Sequence, residues 1–132
     1  MKDIFLLFQT GLYKLNVSGH HGNGYRNGGD GLTGSYNING MPFSTPDRDN
    51  DVSSSNCASH GGGSGWWFNA CHIVNPNGLN YGHAKTGTNA AMAWYSWGAK
   101  WESLKTITMA IRRADILGAD FPLRKKRIAY FK

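Results

Sequence analysis

Three carboxylates recur at every second position in Asp47-Arg48-Asp49-Asn50-Asp51. Acidic side chains this close repel one another unless a cation or a cage of hydrogen bonds compensates them. Calcium takes about six to eight oxygens from carboxylates, carbonyls and water, in tolerant geometry. The next stretch, Val52-Ser53-Ser54-Ser55-Asn56, can present main-chain carbonyls from a loop. An oxygen-only donor set favours calcium over zinc or copper. The EF-hand template does not fit. Counted from Asp47, the sixth position is Val52 where glycine is needed, and the twelfth is Ala58 where a bidentate Glu is needed. The other reading of the same residues is a polar turn without an ion.

Cys57 and Cys71 are the two cysteines of the chain. From spacing alone they are a disulfide, a pair of free core thiols, or part of a metal site. His72 follows Cys71, but neighbours along a strand face opposite ways, so the two would not meet as a nucleophile and base. No third orienting group accompanies them. The chain therefore lacks a complete catalytic set, and an enzyme is not expected. His20, His21, His60 and His83 are spaced too irregularly for a zinc finger or ribbon.

The elements that must position these groups are short. The 132 residues suffice for one domain with one modest core. Five Trp supply apolar mass, while 18 Gly argue for a compact, loop-rich fold rather than a bundle. Residues 1–18 read as one or two strands, with Leu12, Lys14 and Asn16 alternating against Tyr13, Leu15 and Val17. Asn16-Val17-Ser18 is an N-glycosylation sequon. Residues 19–40, dense in Gly, Asn and Ser, read as a long surface loop. Gly61-Gly62-Gly63-Ser64-Gly65 reads as a flexible turn ahead of a buried Trp66-Trp67-Phe68. Ala91–Trp97 reads as an aromatic strand. Ser103–Arg113 reads as another, with Ile107, Met109 and Ile111 on one face.

The net charge of +6 is concentrated late, at Arg112, Arg113, Arg124, Lys125, Lys126, Arg127 and Lys132. No aromatics interleave with that run as an RNA-binding sheet requires, so it reads as a solvated tail and nucleic acid is not the expected partner. No apolar run approaches the length of a membrane span. Met1 to Phe8 is too short and too interrupted for a signal peptide.

Taken in order, Asn39-Gly40-Met41-Pro42-Phe43-Ser44-Thr45, the Asp47–Asp51 loop, Asn56-Cys57-Ala58, Gly65-Trp66-Trp67-Phe68-Asn69, Cys71-His72, Asn77-Gly78, Trp94, Trp97, Trp101 and Ser103-Leu104-Lys105 closely resemble the C-terminal half of a fibrinogen C-terminal domain. The resemblance runs over residues 13–114. It sets apart 1–12 as a poorly matching segment and 115–132 as a basic tail, and it implies that the chain is part of a longer one. The fold implied is α+β and loop-rich, mainly short antiparallel strands with few short helices.

The resemblance further implies a calcium site made by the Asp49 and Asp51 side chains and the Ser53 and Ser55 carbonyls, with Asp47 supporting the loop. It implies a Cys57–Cys71 disulfide and a cis Ala70–Cys71 peptide. In the family these aim the Cys71 and His72 main-chain N–H groups at an acetyl or carboxyl oxygen. Trp67, Thr88, Asn89 and Lys100 would lie around that ligand site. The positions of the family's aromatic funnel fall on Gly62, Thr88 and Asn89, none of them aromatic. The Asp and Arg that grip a peptide in the fibrin pocket fall on Asn89 and Lys100, so the carboxylate is gone. The expected function is a secreted, calcium-dependent, lectin-like module of innate defence that binds acetylated or anionic glycans or similar pattern ligands. The alternatives are an adhesive fibrinogen-like protein with protein partners, or an inactive fragment. A homo-oligomer of a longer parent chain is compatible with the resemblance.

Overall fold

The computed structural model describes residues 3–6, 12–18, 31–33, 36–84, 86–98 and 101–109. Strands β1 (Asp3–Leu6) and β2 (Leu15–Ser18) form an antiparallel pair whose backbone register sets Ile4 opposite Val17 and Phe5 opposite Asn16. Leu15 and Val17 are buried and Asn16 is exposed, as the period of two requires. The alternation does not extend upstream of Lys14. Leu12 and Tyr13 take positive φ angles of 59° and 52° in a turn, which reverses the chain before β2 begins.

Among the described residues, the far edge of β2 is completed by a turn rather than by a third strand. Leu15 N–H donates to the Met41 carbonyl at 3.0 Å, and Gly40 N–H donates to the Leu15 carbonyl at 2.7 Å. The Asn39 side chain accepts the Val17 N–H at 2.9 Å. Turn residues thus satisfy donors that a ladder would otherwise take. Gly40 adopts φ +81°, open to glycine at no steric cost.

Helix α1 (Cys57–His60) is one turn long and starts at Asn56, whose side-chain oxygen accepts the Ser59 N–H at 2.9 Å. Strands β3 (Val74–Asn75) and β4 (Ala93–Trp94) pair antiparallel, and helix α2 (Tyr95–Gly98) follows at once. The core gathers Leu15, Val17, Leu32, Ile38, Cys57, Trp66, Phe68 and Val74.

Four sequence readings change. Leu32 and Ile38 are buried, so the later part of 19–40 belongs to the core and is not only surface loop. The glycine run is a fixed turn: Gly61 N–H donates to the Cys57 carbonyl, and Gly63 N–H to that of Ala58. Ala91–Trp97 holds two residues of strand before turning helical. Residues 103–109 form no strand, because the Ser103 and Leu104 N–H groups donate to the isolated carbonyls of Ala84 and Met92. Met109 is exposed. Ile111 to Arg113, the basic tail, His20 and His21 lie outside the described residues.

Candidate functional site

The acidic loop is built from side-chain turns. A tight turn pairs Thr45 with Arg48 through reciprocal main-chain bonds of 2.9 and 3.0 Å. Asn50 then fastens the loop to the core, its N–H donating to Ser44 Oγ at 3.0 Å and its amide to the Phe43 carbonyl at 2.7 Å. Asp51 organises the residues downstream of it. Its Oδ1 accepts the Ser53 N–H and its Oδ2 the Cys57 N–H, both at 2.9 Å, while its own N–H donates to Asp49 Oδ1 at 3.2 Å. Burial, with the Asp49 carboxylate close beside it, pushes the Asp51 carboxyl above its ordinary range despite these two donors. The Thr45 hydroxyl holds Asp47 below that range, consistent with a turn role at the start of the loop.

The donor set suits a hard cation. Asp49 and Asp51 lie close enough to repel. Among the described residues, neither the Ser53 nor the Ser55 carbonyl accepts a hydrogen bond. Two carboxylates and two uncommitted carbonyls, with room for water at an exposed loop, match oxygen-only coordination.

A covalent link runs from this loop to the second half of the site. Cys57 and Cys71 form a disulfide with S–S 2.03 Å, so neither thiol is available to a metal. Ala70–Cys71 is a cis peptide. The Cys71 carbonyl accepts the Asn69 N–H at 2.8 Å. Among the described residues, the N–H groups of Cys71 and His72 have no acceptor.

His72 is buried between Phe68 and Trp101, with ring centroids 5.2 and 5.7 Å away, and Tyr95 packs behind Trp101 at 5.1 Å. Its Nε2 lies 2.9 Å from the Asn89 carbonyl. A carbonyl only accepts, so Nε2 carries the proton and Nδ1 is left as a buried acceptor with no partner. Burial lowers the His72 pKa, against the opposing pull of that carbonyl. The imidazole is therefore a neutral, oriented wall rather than a charge.

Asn75 is the residue that the sequence reading missed. It is fully buried. Its amide donates to the Gly61 carbonyl at 2.7 Å and to the Asn89 carbonyl at 3.3 Å. It thereby ties the glycine turn to the loop that carries His72's partner. A polar residue between Val74 and Pro76 in an otherwise apolar pair was the available signal.

The structure therefore brings together Asp49, Asp51, Ser53, Ser55, Cys57, Ala70, Cys71, His72 and Asn89, by contact or along the chain. Thr88 is half-buried beside exposed Asn89. Gly62 cannot carry a wall side chain: at φ +89°, a Cβ there would lie 2.7 Å from the Ala90 carbonyl oxygen. Trp67 points elsewhere, its indole N–H donating to the Tyr13 carbonyl at 2.8 Å and its ring meeting Phe43 and Trp66 edge-on. Lys100 lies outside the described residues. Asn16 sits on β2.

A disulfide joining an acidic, oxygen-rich loop to a pair of uncommitted N–H donors defines a binding module. The family model for the C-terminal globular domain of fibrinogen beta and gamma chains matches residues 5–114. Fibrinogen-like protein 1 of Rattus norvegicus is 38% identical over 118 residues, covering 83% of this chain and 36% of the relative. The fibrinogen beta chain of Gallus gallus is 39% identical over 119 residues, covering 76% of this chain and 26% of the relative. The fibrinogen-like globe domain of human ANGPTL2 superposes with a TM-score of 0.64 at 36% identity, covering 77% of this chain and 44% of that one. A lamprey fibrin D-dimer complexed with the peptide Gly-His-Arg-Pro-amide gives 0.60 at 32% identity, covering 77% and 36%. The chain belongs to the fibrinogen C-terminal domain family. It has that family's loop-rich α+β fold, and it spans roughly a third of the length of the fibrinogen-like proteins it matches (36% of the rat protein).

Proposed function

We propose that the chain is a secreted, calcium-dependent recognition module that takes an acetyl or carboxyl oxygen of a glycan on the Cys71 and His72 N–H groups. The observation that carries this reading is that pair of donors without acceptors, joined through Cys57–Cys71 to the loop organised by Asp51. Two converging N–H groups are a sound way to hold such an oxygen. Asp49, Asp51 and the Ser53 and Ser55 carbonyls would hold the calcium ion. When bound, calcium would neutralise the facing carboxylates and stiffen the loop. Asp51 then holds the Cys57 N–H, and Cys57 anchors Cys71. The disulfide and the secreted character of fibrinogens suit an extracellular setting, and binding acetylated pattern ligands suits a role in innate defence.

The test is retention of the full chain on an acetylated resin, with elution by free N-acetylglucosamine. Asp49→Ala together with Asp51→Ala should abolish calcium-dependent retention; retention unchanged by that pair would remove calcium from the mechanism.

A second reading is a protein partner. It is favoured by Gly62, Thr88 and Asn89, none of them aromatic, at the positions where the family's aromatic funnel falls, and by the peptide in the lamprey fibrin complex. Silence on an array of acetylated glycans, with binding to a protein ligand, would select it.

A further inference from the structure

We propose that Asn16 carries an N-linked oligosaccharide, so that the outer face of the β1–β2 hairpin is a carbohydrate-covered surface. Three observations converge. Asn16-Val17-Ser18 is the only Asn-x-Ser/Thr sequence in the 132 residues, and its middle residue is not proline. The strand places Asn16 outward: its neighbours Leu15 and Val17 are 2% and 6% exposed, while Asn16 is exposed. The Asn16 carboxamide makes no hydrogen bond among the described residues, so a sugar attached there displaces no internal contact. The backbone of β2 is held from the other side, through Met41, Gly40 and the Asn39 side chain. The fold therefore tolerates a bulky substituent at residue 16 and would not tolerate one at 15 or 17.

The compartment is the fourth support. Cys57 and Cys71 are joined in a disulfide, which places folding where disulfides form, the same lumen in which oligosaccharide transfer occurs. In the transfer, Asn16 Nδ2 loses one proton and bonds to the anomeric carbon of a lipid-pyrophosphate-linked oligosaccharide. The bond from that carbon to the pyrophosphate oxygen breaks, and the lipid pyrophosphate leaves. Leu12 and Tyr13, exposed just ahead of β2, would lie beside the carbohydrate, which shields apolar surface and excludes this face as a protein interface.

The experiment expresses the full chain behind a secretory leader in a eukaryotic cell, and compares it before and after peptide:N-glycosidase treatment. The expected result is a mass loss on treatment, with Asn16 converted to aspartate in the recovered peptide. Asn16→Gln and Ser18→Ala should each remove the mass loss, and Ser18→Thr should keep it. Transfer acts on the nascent chain, so chain retained in the cell reads out as well as secreted chain, and a variant that folds poorly is still informative. A wild-type chain with no mass loss, or a loss that survives Asn16→Gln, would overturn the proposal. The outcome is independent of the ligand site: Asn16→Gln should leave retention on acetylated resin unchanged.

Discussion

Asn75 offers the sharpest test of how the site is held. Asn75→Ala removes the shorter of two donors to the buried Gly61 carbonyl, at 2.7 Å, and leaves it only the Ser64 hydroxyl at 3.5 Å, which costs about 1–3 kcal/mol. The Asn89 carbonyl keeps its His72 donor, so loss of the longer 3.3 Å bond adds about 0.5–1 kcal/mol. With the small void left by truncation, the expected loss is about 2–4 kcal/mol. Asn75→Asp separates hydrogen bonding from shape. An aspartate here would face two carbonyl oxygens, so its folded pKa would rise above the ordinary value of about 3.9. Such a group is least harmful below pH 4, where it is protonated and can donate to Gly61. The penalty then grows as pH rises towards the folded pKa, reaching about 1.4 kcal/mol for each pH unit that separates the folded from the unfolded value. Urea unfolding at pH 4, 5.5 and 7 measures both variants. An Asn75→Ala chain as stable as wild type, or an Asn75→Asp penalty flat with pH, would refute the clamp.

Two further outcomes rest on the same geometry. His72 has a folded pKa below its unfolded value of about 6.5, because burial opposes the imidazolium. The unfolded chain therefore protonates first, and stability should fall as pH drops below about 6.5, down to the lowered folded pKa. His72→Gln should flatten that slope relative to wild type in urea titrations over the same range. Gly62→Ala and Gly40→Ala separate clash from conformation. Both have positive φ, but only Gly62 would also drive a Cβ into the Ala90 carbonyl, whereas nothing lies within 4 Å at Gly40. Gly40→Ala should cost about 1 kcal/mol and Gly62→Ala at least about 1 kcal/mol more by chemical denaturation.

The candidate site residues could be named from the sequence because each group is contiguous. Asp49, Asp51, Ser53 and Ser55 lie in one short loop, and Cys71 precedes His72 directly. The alternation that buries Leu15 and Val17 was equally local. The features that escaped were set by partners far along the chain. Asn75 owes its role to Gly61 and Asn89, each 14 residues away. Trp67 was expected at the ligand site, yet its indole is held by the Tyr13 carbonyl 54 residues earlier. The 103–109 stretch has a good period of two, but the N–H groups of Ser103 and Leu104 answer to Ala84 and Met92 rather than to a neighbouring strand. Period alone reports which side chains could share a face, not whether a ladder exists to create one.

The most direct measurement is the amide spectrum of the isotope-labelled full chain titrated with N-acetylglucosamine in calcium. The Cys71 and His72 N–H resonances should move downfield together as they gain an acceptor. Chelating calcium, or replacing Asp51 by Ala, should weaken that response severalfold by loosening the Cys57 end of the disulfide. Resonances of Cys71 and His72 that stay still while the chain binds the sugar elsewhere, or that move equally with and without calcium, would contradict the mechanism.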